Sequence, residues 1–281
     1  MNALFTDAVL GDQVEAEASA DLYAAAPAPL ARELGLQVRQ VAGATALVAR
    51  ALPDPMLNRV IALGVERPAT EPDLDALIEV FDAARVARYW IHLNPIAQPQ
   101  ALGEWLAARG FAPARRRSWA KLICHTVPVL PMRTDLSIRR ARGGEAAAAT
   151  AAIRAAYGLP DPMQPWIEAL VGRERWITFV AADGDRIVGG GMLYLDLPRK
   201  AGWLGLGGVR AEYRGRGAQR ALIAARVQAA LEHGCDVAIS ETGEPIADEP
   251  NPSLQNLLRC GFARVVSRVN YAAPPSEPAA G

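Results

Sequence analysis

Hydrophobic and polar residues in the second half of the chain predict short strands separated by three longer helical stretches. Residues 176–181 and 187–195 predict two strands, and Asp183-Gly184-Asp185 between them has the composition of a hairpin turn. Helices are predicted where the Ala-rich and apolar residues run longer, and Gly234 and Gly261 end two of them. The other predicted strands are 136–139, 203–209, 237–239 and 262–271, and the predicted helices are 145–157, 166–170, 218–233 and 253–260.

The first half repeats nearly the same order of elements. It predicts a hairpin across Gly43, a strand at 60–63, a helix through Leu74 and Phe81, a strand at 89–93, a helix at 100–109 and a last strand ending near Leu122. Both halves place Gly-Phe between their last helix and last strand, at Gly110-Phe111 and at Gly261-Phe262. The spacing between the halves is roughly 145–150 residues, which favours a tandem duplication over a chance similarity of two α/β segments.

The proline-containing stretch around residue 128 separates these halves. We therefore predict one domain over residues 1–127, a second over 128–272, and a flexible Pro- and Ala-rich tail over 273–281.

Composition narrows the classes of function. The 281 residues carry a formal net charge of zero, so the whole molecule has no electrostatic attraction to nucleic acid or to anionic lipid. The three cysteines are widely spaced and odd in number, which argues against a disulfide framework and against a zinc site. The sequence has no apolar run long enough to cross a bilayer, and its first residues predict no signal peptide. It therefore predicts a cytoplasmic protein without metal, nucleic-acid or membrane partners, and it does not determine the oligomeric state.

A glycine-rich loop, Arg214-Gly215-Arg216-Gly217-Ala218, lies between the predicted strand ending at Val209 and the helix that follows. The first N–H groups of a helix lack partners and carry partial positive charge, and glycines let phosphate oxygens approach the backbone. No acidic residue occurs from 213 to 226. We call residues 214–218 the cradle and predict that it binds a pyrophosphate. The alternatives are a solvated Arg-Gly turn and an RNA-binding patch.

Two segments, residues 206–225 and residues 251–262, together resemble the GNAT superfamily of acetyl-CoA-dependent N-acetyltransferases. The family loop reads Arg/Gln-x-x-Gly-x-Gly/Ala; Arg214 and Gly217 match it, and Gln219 stands where Gly or Ala is usual. The resemblance implies an α/β (α+β) fold of two tandem GNAT-like domains, each a mixed, mostly antiparallel sheet flanked by helices. It also implies acetyl-CoA as the cosubstrate.

In such a fold the pantetheine arm lies in a gap beside the Val209 strand, where the Gly208 and Val209 amides would polarise the thioester carbonyl. Asn251 matches an asparagine that touches the pantetheine arm, and a turn residue before Pro252 is the equally weighted alternative. The predicted cofactor-binding residues are Gly208, Val209, Arg214, Gly215, Arg216, Gly217, Ala218, Gln219 and Asn251.

The corresponding loop of the first half has a different character. After Gly64 it contains no glycine, and its helix begins with Thr70 followed by Glu71, Asp73 and Asp75. This composition predicts a good N-cap, and its carboxylates would repel a pyrophosphate. We predict that the first half binds no CoA and serves as a scaffold beside the acceptor cleft.

The proton-transfer residues of the family are missing from their usual places. Many GNAT enzymes carry a Glu on the strand before the loop and a Tyr four residues before the late Gly-Phe. Here the strand at 203–209 has no acid, and Leu257 stands at the tyrosine position. The substitutes that we predict are Glu241, Tyr194 and Asp196, against the alternatives of a solvated loop acid for Glu241 and a core residue for Tyr194.

These observations predict an N-acetyltransferase that moves acetyl from acetyl-CoA directly to an amine of an unidentified small-molecule or peptide acceptor. The alternative is a non-catalytic acyl-CoA-binding module with a sensing or regulatory role, suggested by Leu257 and by the missing strand acid. Nucleic-acid binding ranks below both because the charge is balanced.

Overall fold

One continuous mixed sheet organises the protein. The computed structural model describes residues 3–125, 133–246 and 249–275, so the predicted domain border at 127/128 and the tail segment 276–281 lie outside the described residues. The strands are β1 (Leu36–Val41), β2 (Ala44–Ala49), β3 (Arg59–Ile61), β4 (Trp90–Leu93), β5 (Ala112–Cys124), β6 (Ser137–Arg140), β7 (Trp176–Asp183), β8 (Arg186–Asp196), β9 (Ala201–Val209), β10 (Val237–Gly243) and β11 (Ala263–Ala272).

Helices cover both faces of this sheet. They are α1 (Ala3–Ala24), α2 (Ala28–Leu34), α3 (Glu71–Ala83), α4 (Leu102–Ala108), α5 (Ala146–Tyr157), α6 (Met163–Glu168), α7 (Ala218–Glu232) and α8 (Pro252–Arg259). No helix in the described part of the chain has both the length and the apolar character needed to cross a lipid bilayer.

The strand order is β1-β2-β3-β4-β11-β5-β10-β9-β8-β7-β6. Most neighbours are antiparallel, and the parallel pairs are β3–β4 in the first half and β9–β10 in the second. This confirms the expected mixed, mostly antiparallel sheet flanked by helices. Each half places its last strand beside the other half: β5 lies between β11 and β10, and β11 lies between β4 and β5. The duplication and the two domain ranges remain predictions, and this exchange makes either half incomplete without the other.

The parallel pair β9–β10 opens along its length. Three residue pairs join the strands, from Val237 opposite Ala201 to Ile239 opposite Trp203, and β9 then runs on to Val209 without this partner. On its other side β9 pairs with β8, and the register of this pairing shifts between Gly190 and Met192. The shift forms a bulge in β9, where Leu206 has φ of +50°. We call the space between residues 204–209 and residues 240–243 the β9–β10 gap. It opens toward the start of α7.

Helix α1 lies over the centre of the sheet and was not predicted. Its 22 residues contact β5, β9, β10 and β11, and so bridge the two halves. The face that it buries includes Gly11, Asp12, Glu15 and Ser19. Polar and small residues at helical spacing on a buried face hide the apolar periodicity by which an amphipathic helix is recognised.

Charged side chains join α1 to the sheet. The Glu15 carboxylate lies 2.6 Å from Lys121 Nζ and 2.6 Å from Arg268 Nη1, and all three side chains are at most 1% exposed. Arg59 Nη2 lies 3.5 Å from the other Glu15 oxygen. Buried charges require such partners, because an isolated one would lose its hydration without compensation. These ion pairs therefore connect α1 with three strands.

Candidate active site

The cradle has the backbone conformation that its glycines indicated. Gly215 and Gly217 have φ of +81° and +79°, in the left-handed region that glycine adopts without strain. A Cβ at Gly217 would lie 2.2 Å from the carbonyl oxygen of Arg133, so only glycine fits there. Gly217 is the N-cap of α7 without a side-chain cap, and the first turn contains no acid. The first N–H groups of α7 are therefore not covered by a capping side chain.

A cavity of about 470 Å³ adjoins this helix end. Its lining adds Arg133, Thr134, Asp135 and Arg220 to the residues predicted from the sequence. Arg133 comes from the linker between the halves, and Arg220 lies in the first turn of α7, where helical spacing could have indicated it. This open site combines glycine backbone, a helix N-terminus and arginines, which fits a pyrophosphate, and the one acid in its described lining, Asp135, is paired with Arg216.

The two predicted arginines have different partners. Arg216 donates to both carboxylate oxygens of Asp135 and, at 3.2 Å, to Asp183. This hydrogen bonding lowers the pKa of Asp135. Arg214 instead donates to the carbonyl oxygens of Val209 and Ala156, each at 3.4 Å. The charge of Arg216 is therefore compensated by two acids distant in sequence, which local inspection of the loop had missed.

The side chain of Gln219, the residue after the cradle, is bonded to α8. Its side chain donates to Ser253 Oγ and accepts from Asn256 Nδ2 at 2.6 Å, which ties α7 to α8. The glutamine that departs from the family pattern therefore serves in a contact between two helices.

The backbone of Val209 faces the β9–β10 gap. Arg210 N donates to Val188 O at 2.9 Å, and alternation along an antiparallel ladder turns the groups of the preceding residue away from β8. By the same alternation the groups of Gly208 point toward β8. The ladder therefore favours Val209 over Gly208 as the amide that meets a thioester.

Asn251 is the N-cap of α8. Its Oδ1 accepts from Ser253 N and Leu254 N, and its Nδ2 donates to Thr242 Oγ1 and to Gly243 O. The protein itself thus uses the side chain fully, as the turn alternative expected, while the pantetheine contact stays a prediction.

Glu241 extends from β10 beside the gap. It accepts from Trp203 Nε1 at 2.9 Å and lies 3.3 Å from Lys121 Nζ. Burial raises the pKa of Glu241, the nearby Glu15 carboxylate raises it further, and Lys121 acts in the opposite direction. The predicted base is therefore a buried acid held by two strands and joined through Lys121 to α1, rather than a solvated loop acid.

The structure does not bring Tyr194 and Asp196 to the open end of the gap. Asp196 is fully buried at the β8–β9 hairpin, opposite Ala201, and pairs with Arg199 at 2.8 Å. Val209 lies eight positions beyond Ala201, about 26 Å along the strand at ~3.3 Å per residue. Tyr194 is also fully buried, packs against Trp176, and has Arg175 4.6 Å from its ring centroid. Both surroundings are those of core residues, and the catalytic roles stay predictions.

Tyr157 is a residue that the sequence reasoning missed. It ends α5, is 53% exposed, and its hydroxyl donates to Gly207 O at 2.9 Å. The hydroxyl therefore lies at the bulge of β9 beside the gap. Leu257, at the family tyrosine position, is buried in the core and offers no proton. The only sequence signal for Tyr157 is an aromatic residue in the last turn before the C-capping Gly158.

The corresponding helix of the first half is closed by its own residues. Thr70 and Asp73 form a reciprocal capping box at the start of α3, and Glu71 and Asp73 lie in its first turn. This confirms the predicted N-cap. The absence of CoA binding in this half remains a prediction.

Comparisons with known proteins agree with this geometry. Residues 148–262 match the model of the acetyltransferase (GNAT) family. No curated protein matches the chain. Among solved structures, a GCN5-related N-acetyltransferase from Kribbella flavida is 18% identical with a TM-score of 0.60, over 94% of this chain and 95% of that one. One from Sphaerobacter thermophilus is 18% identical with a TM-score of 0.60, over 87% and 84%.

A tandem GNAT protein from the clavulanic acid biosynthesis pathway is 14% identical with a TM-score of 0.59, over 84% of this chain and 79% of that one. At these identities the structures establish the fold alone, and the family match covers residues 148–262, which include the cradle. Residues 148–262 therefore match the acetyltransferase (GNAT) family, whose chemistry is acyl transfer, and the chain shares its fold with solved GNAT structures.

Proposed function

We propose that this protein is an N-acetyltransferase that moves acetyl from acetyl-CoA directly to an amine of a small-molecule or peptide acceptor. The observation that carries the proposal is the course of β9 and β10: they pair for three residues and then separate toward the uncapped N-terminus of α7. One element thus offers backbone N–H groups to a pyrophosphate, and the adjoining gap offers the unpaired edge of β9 to an extended arm.

Each residue has a defined task in this proposal. The cradle binds and orients the pyrophosphate, and Val209 pairs with the pantetheine arm. Acetyl-CoA supplies the activated acyl group. Glu241 takes the proton that the amine must lose to become a nucleophile, and Tyr157 donates a proton to the departing sulfur. Removal of the hydroxyl from water raises the pKa of Tyr157 above its ordinary value, so the phenol is protonated at neutral pH and can serve as such a donor.

Release of free CoA from acetyl-CoA in the presence of an amine panel tests the proposal. An acetyltransferase releases CoA faster with its acceptor than without it, and the acetylated amine is found by mass spectrometry. The alternative, an acyl-CoA-binding module, is supported by the buried Leu257. Such a module would be stabilised against heat by CoA yet release none with any amine. Failure of CoA to stabilise the protein would contradict both.

Replacing Glu241 by glutamine is expected to lower kcat on the order of 10²-fold, because the base is lost while the bond from Trp203 can be kept. A base must be ionised, so wild-type turnover should fall as the pH drops below the raised pKa of Glu241. This limb should be missing from the pH–rate profile of Glu241→Gln. Glu244, which pairs with Arg264, provides the control, and Glu244→Gln should keep the limb. An unchanged limb in Glu241→Gln would exclude Glu241 as the base.

Replacing Tyr157 by phenylalanine is expected to lower kcat roughly 10- to 100-fold with little change in the KM for acetyl-CoA, because only the proton donor is removed. Tyr194→Phe decides between the two phenols, since Tyr194 is buried on β8. Steady-state kinetics on both variants measures the difference. A larger loss in Tyr194→Phe than in Tyr157→Phe would reverse the assignment.

A further inference from the structure

Arg226 is a buried arginine whose surroundings the acyl-transfer scheme does not explain. It lies in the middle of α7, and only 3% of it is exposed. Among the described residues, no carboxylate lies within ion-pair distance of its guanidinium. Burial lowers its pKa to about 10, so the group remains charged at neutral pH. A buried charge without a counter-ion is unfavourable unless hydrogen bonds compensate it.

The partners of Arg226 are backbone carbonyls of its own helix and of the two strands that meet at the β9 bulge. Its Nη1 donates to Met192 O of β8 at 3.2 Å and to Gly205 O of β9 at 3.1 Å, and its Nε donates to Leu222 O in its own helix. Met192 and Gly205 are the pair at which the register shift occurs. The guanidinium therefore holds the two strands together where the regular ladder is interrupted.

Two glycines make room for this group. A Cβ on Gly191 would lie 2.8 Å from Cζ of Arg226, and a Cβ on Gly207 would lie 2.8 Å from its Nη2. Neither glycine has a positive φ, so backbone conformation does not require glycine at these places. The space that their side chains would fill is occupied by the guanidinium. Gly191 of β8 and Gly207 of β9 thus leave the space at the bulge that the Arg226 side chain of α7 fills.

The bulge lies between the paired end of β9 and the Val209 backbone that faces the gap. We propose that Arg226 is a positioning residue for acyl transfer: its guanidinium fixes the bulge of β9 and thereby orients the edge of residues 206–209 toward the thioester. Its positive charge also lies behind the strand beside which negative charge develops during transfer, and such a fixed charge is effective where water is excluded. This inference rests on the proposed function.

Arg226→Met tests the inference. We expect kcat to fall on the order of 10²-fold while the KM for acetyl-CoA changes less than about 3-fold, because the cradle is intact and the reacting edge is displaced. Val227→Ala is the control, since Val227 is the next residue of α7 and is fully buried. It removes core contacts of the same helix and leaves the guanidinium in place, so its kcat should stay within about 2-fold of wild type at a temperature where both are folded. Equal kcat in Arg226→Met and wild type would overturn the inference while the function stands.

Two further measurements cover the other outcomes. Hydrogen exchange of the segment 203–209 should be at least about 10-fold faster in Arg226→Met than in Val227→Ala, whether or not the wild type turns over. If wild type lacks turnover, the proposed function fails. If hydrogen exchange in Arg226→Met equals that in Val227→Ala, Arg226 does not fix the bulge of β9 and the inference is rejected as well. If Arg226→Met does not fold, Gly191→Ala takes its place, because its methyl group collides with the guanidinium. Gly191→Ala should slow turnover more than about 10-fold, and a wild-type rate in this variant would reject the inference.

Discussion

Gly215→Asp is expected to abolish the thermal stabilisation of the protein by CoA, with a loss of affinity on the order of 10²-fold or more. Gly215 lies in the cradle with φ of +81°, and no atom lies within 4 Å of the place where its Cβ would be. Aspartate tolerates this conformation better than most residues. The variant should therefore fold and place a carboxylate beside the pyrophosphate, whose charge it repels.

Gly215→Asn separates charge from shape. Asparagine has nearly the same size and the same tolerance of positive φ, so it should retain most of the stabilisation by CoA. Calorimetric titration of both variants measures the difference, which should shrink as salt is added because the side chain is exposed to solvent. Gly217 is unsuitable for this test because any Cβ there meets Arg133 O. Equal affinities of the Asp and Asn variants for CoA would exclude this loop as the pyrophosphate-binding site.

Local patterns were sufficient to predict the cradle and most elements of the second half. The strand, the glycine loop and α7 follow one another within about 30 residues, so turn chemistry and helix-end signals act on neighbours. The same applies to the capping box of α3, which needs only Thr70 and Asp73. The strand order was not accessible in this way, since the positions of β5 and β11 depend on pairing between distant segments.

Charge partners were the other part that sequence reasoning could not supply. The partners of Arg216 are Asp135 and Asp183, which are 81 and 33 residues away. Glu241 was predicted as a candidate base, but the Lys121 and Glu15 side chains that determine its surroundings come from the first half. Periodicity reports which face of an element is buried, and it carries no information on which distant charge compensates another.

The first half therefore does more than serve as a scaffold, because its residues surround the proposed base. It contributes β5, which pairs with β10 through Lys121 opposite Glu241. It also contributes α1, whose Glu15 influences the protonation of Glu241. The proposed base thus depends on both halves for its position and for its pKa, although the first half has no cradle of its own.

Glu15→Gln is expected to lower the free energy of unfolding by about 3–5 kcal/mol, because it leaves Lys121 and Arg268 buried with one carboxylate fewer. Glutamine is close to glutamate in volume, so lost charge and not lost packing dominates. Urea unfolding measures the change as a lower midpoint at an unchanged slope. Glu17→Gln on the same helix is the control: its side chain is 46% exposed, its ion pair with Arg175 is 3.6 Å long, and its effect should be below about 1 kcal/mol.

The pH dependence of stability tests the same cluster independently. Burial acts to raise the pKa of Glu15, but the charges of Arg268, Lys121 and Arg59 outweigh it and hold the pKa well below the ordinary value. A carboxyl group with a depressed folded pKa stabilises the fold above its unfolded pKa of about 4.3, and this contribution is lost as the pH falls further. The difference between wild type and Glu15→Gln should therefore be full at neutral pH and shrink in acid. If Glu15→Gln is no less stable than Glu17→Gln, the buried ion pairs of α1 do not stabilise the contact between the two halves.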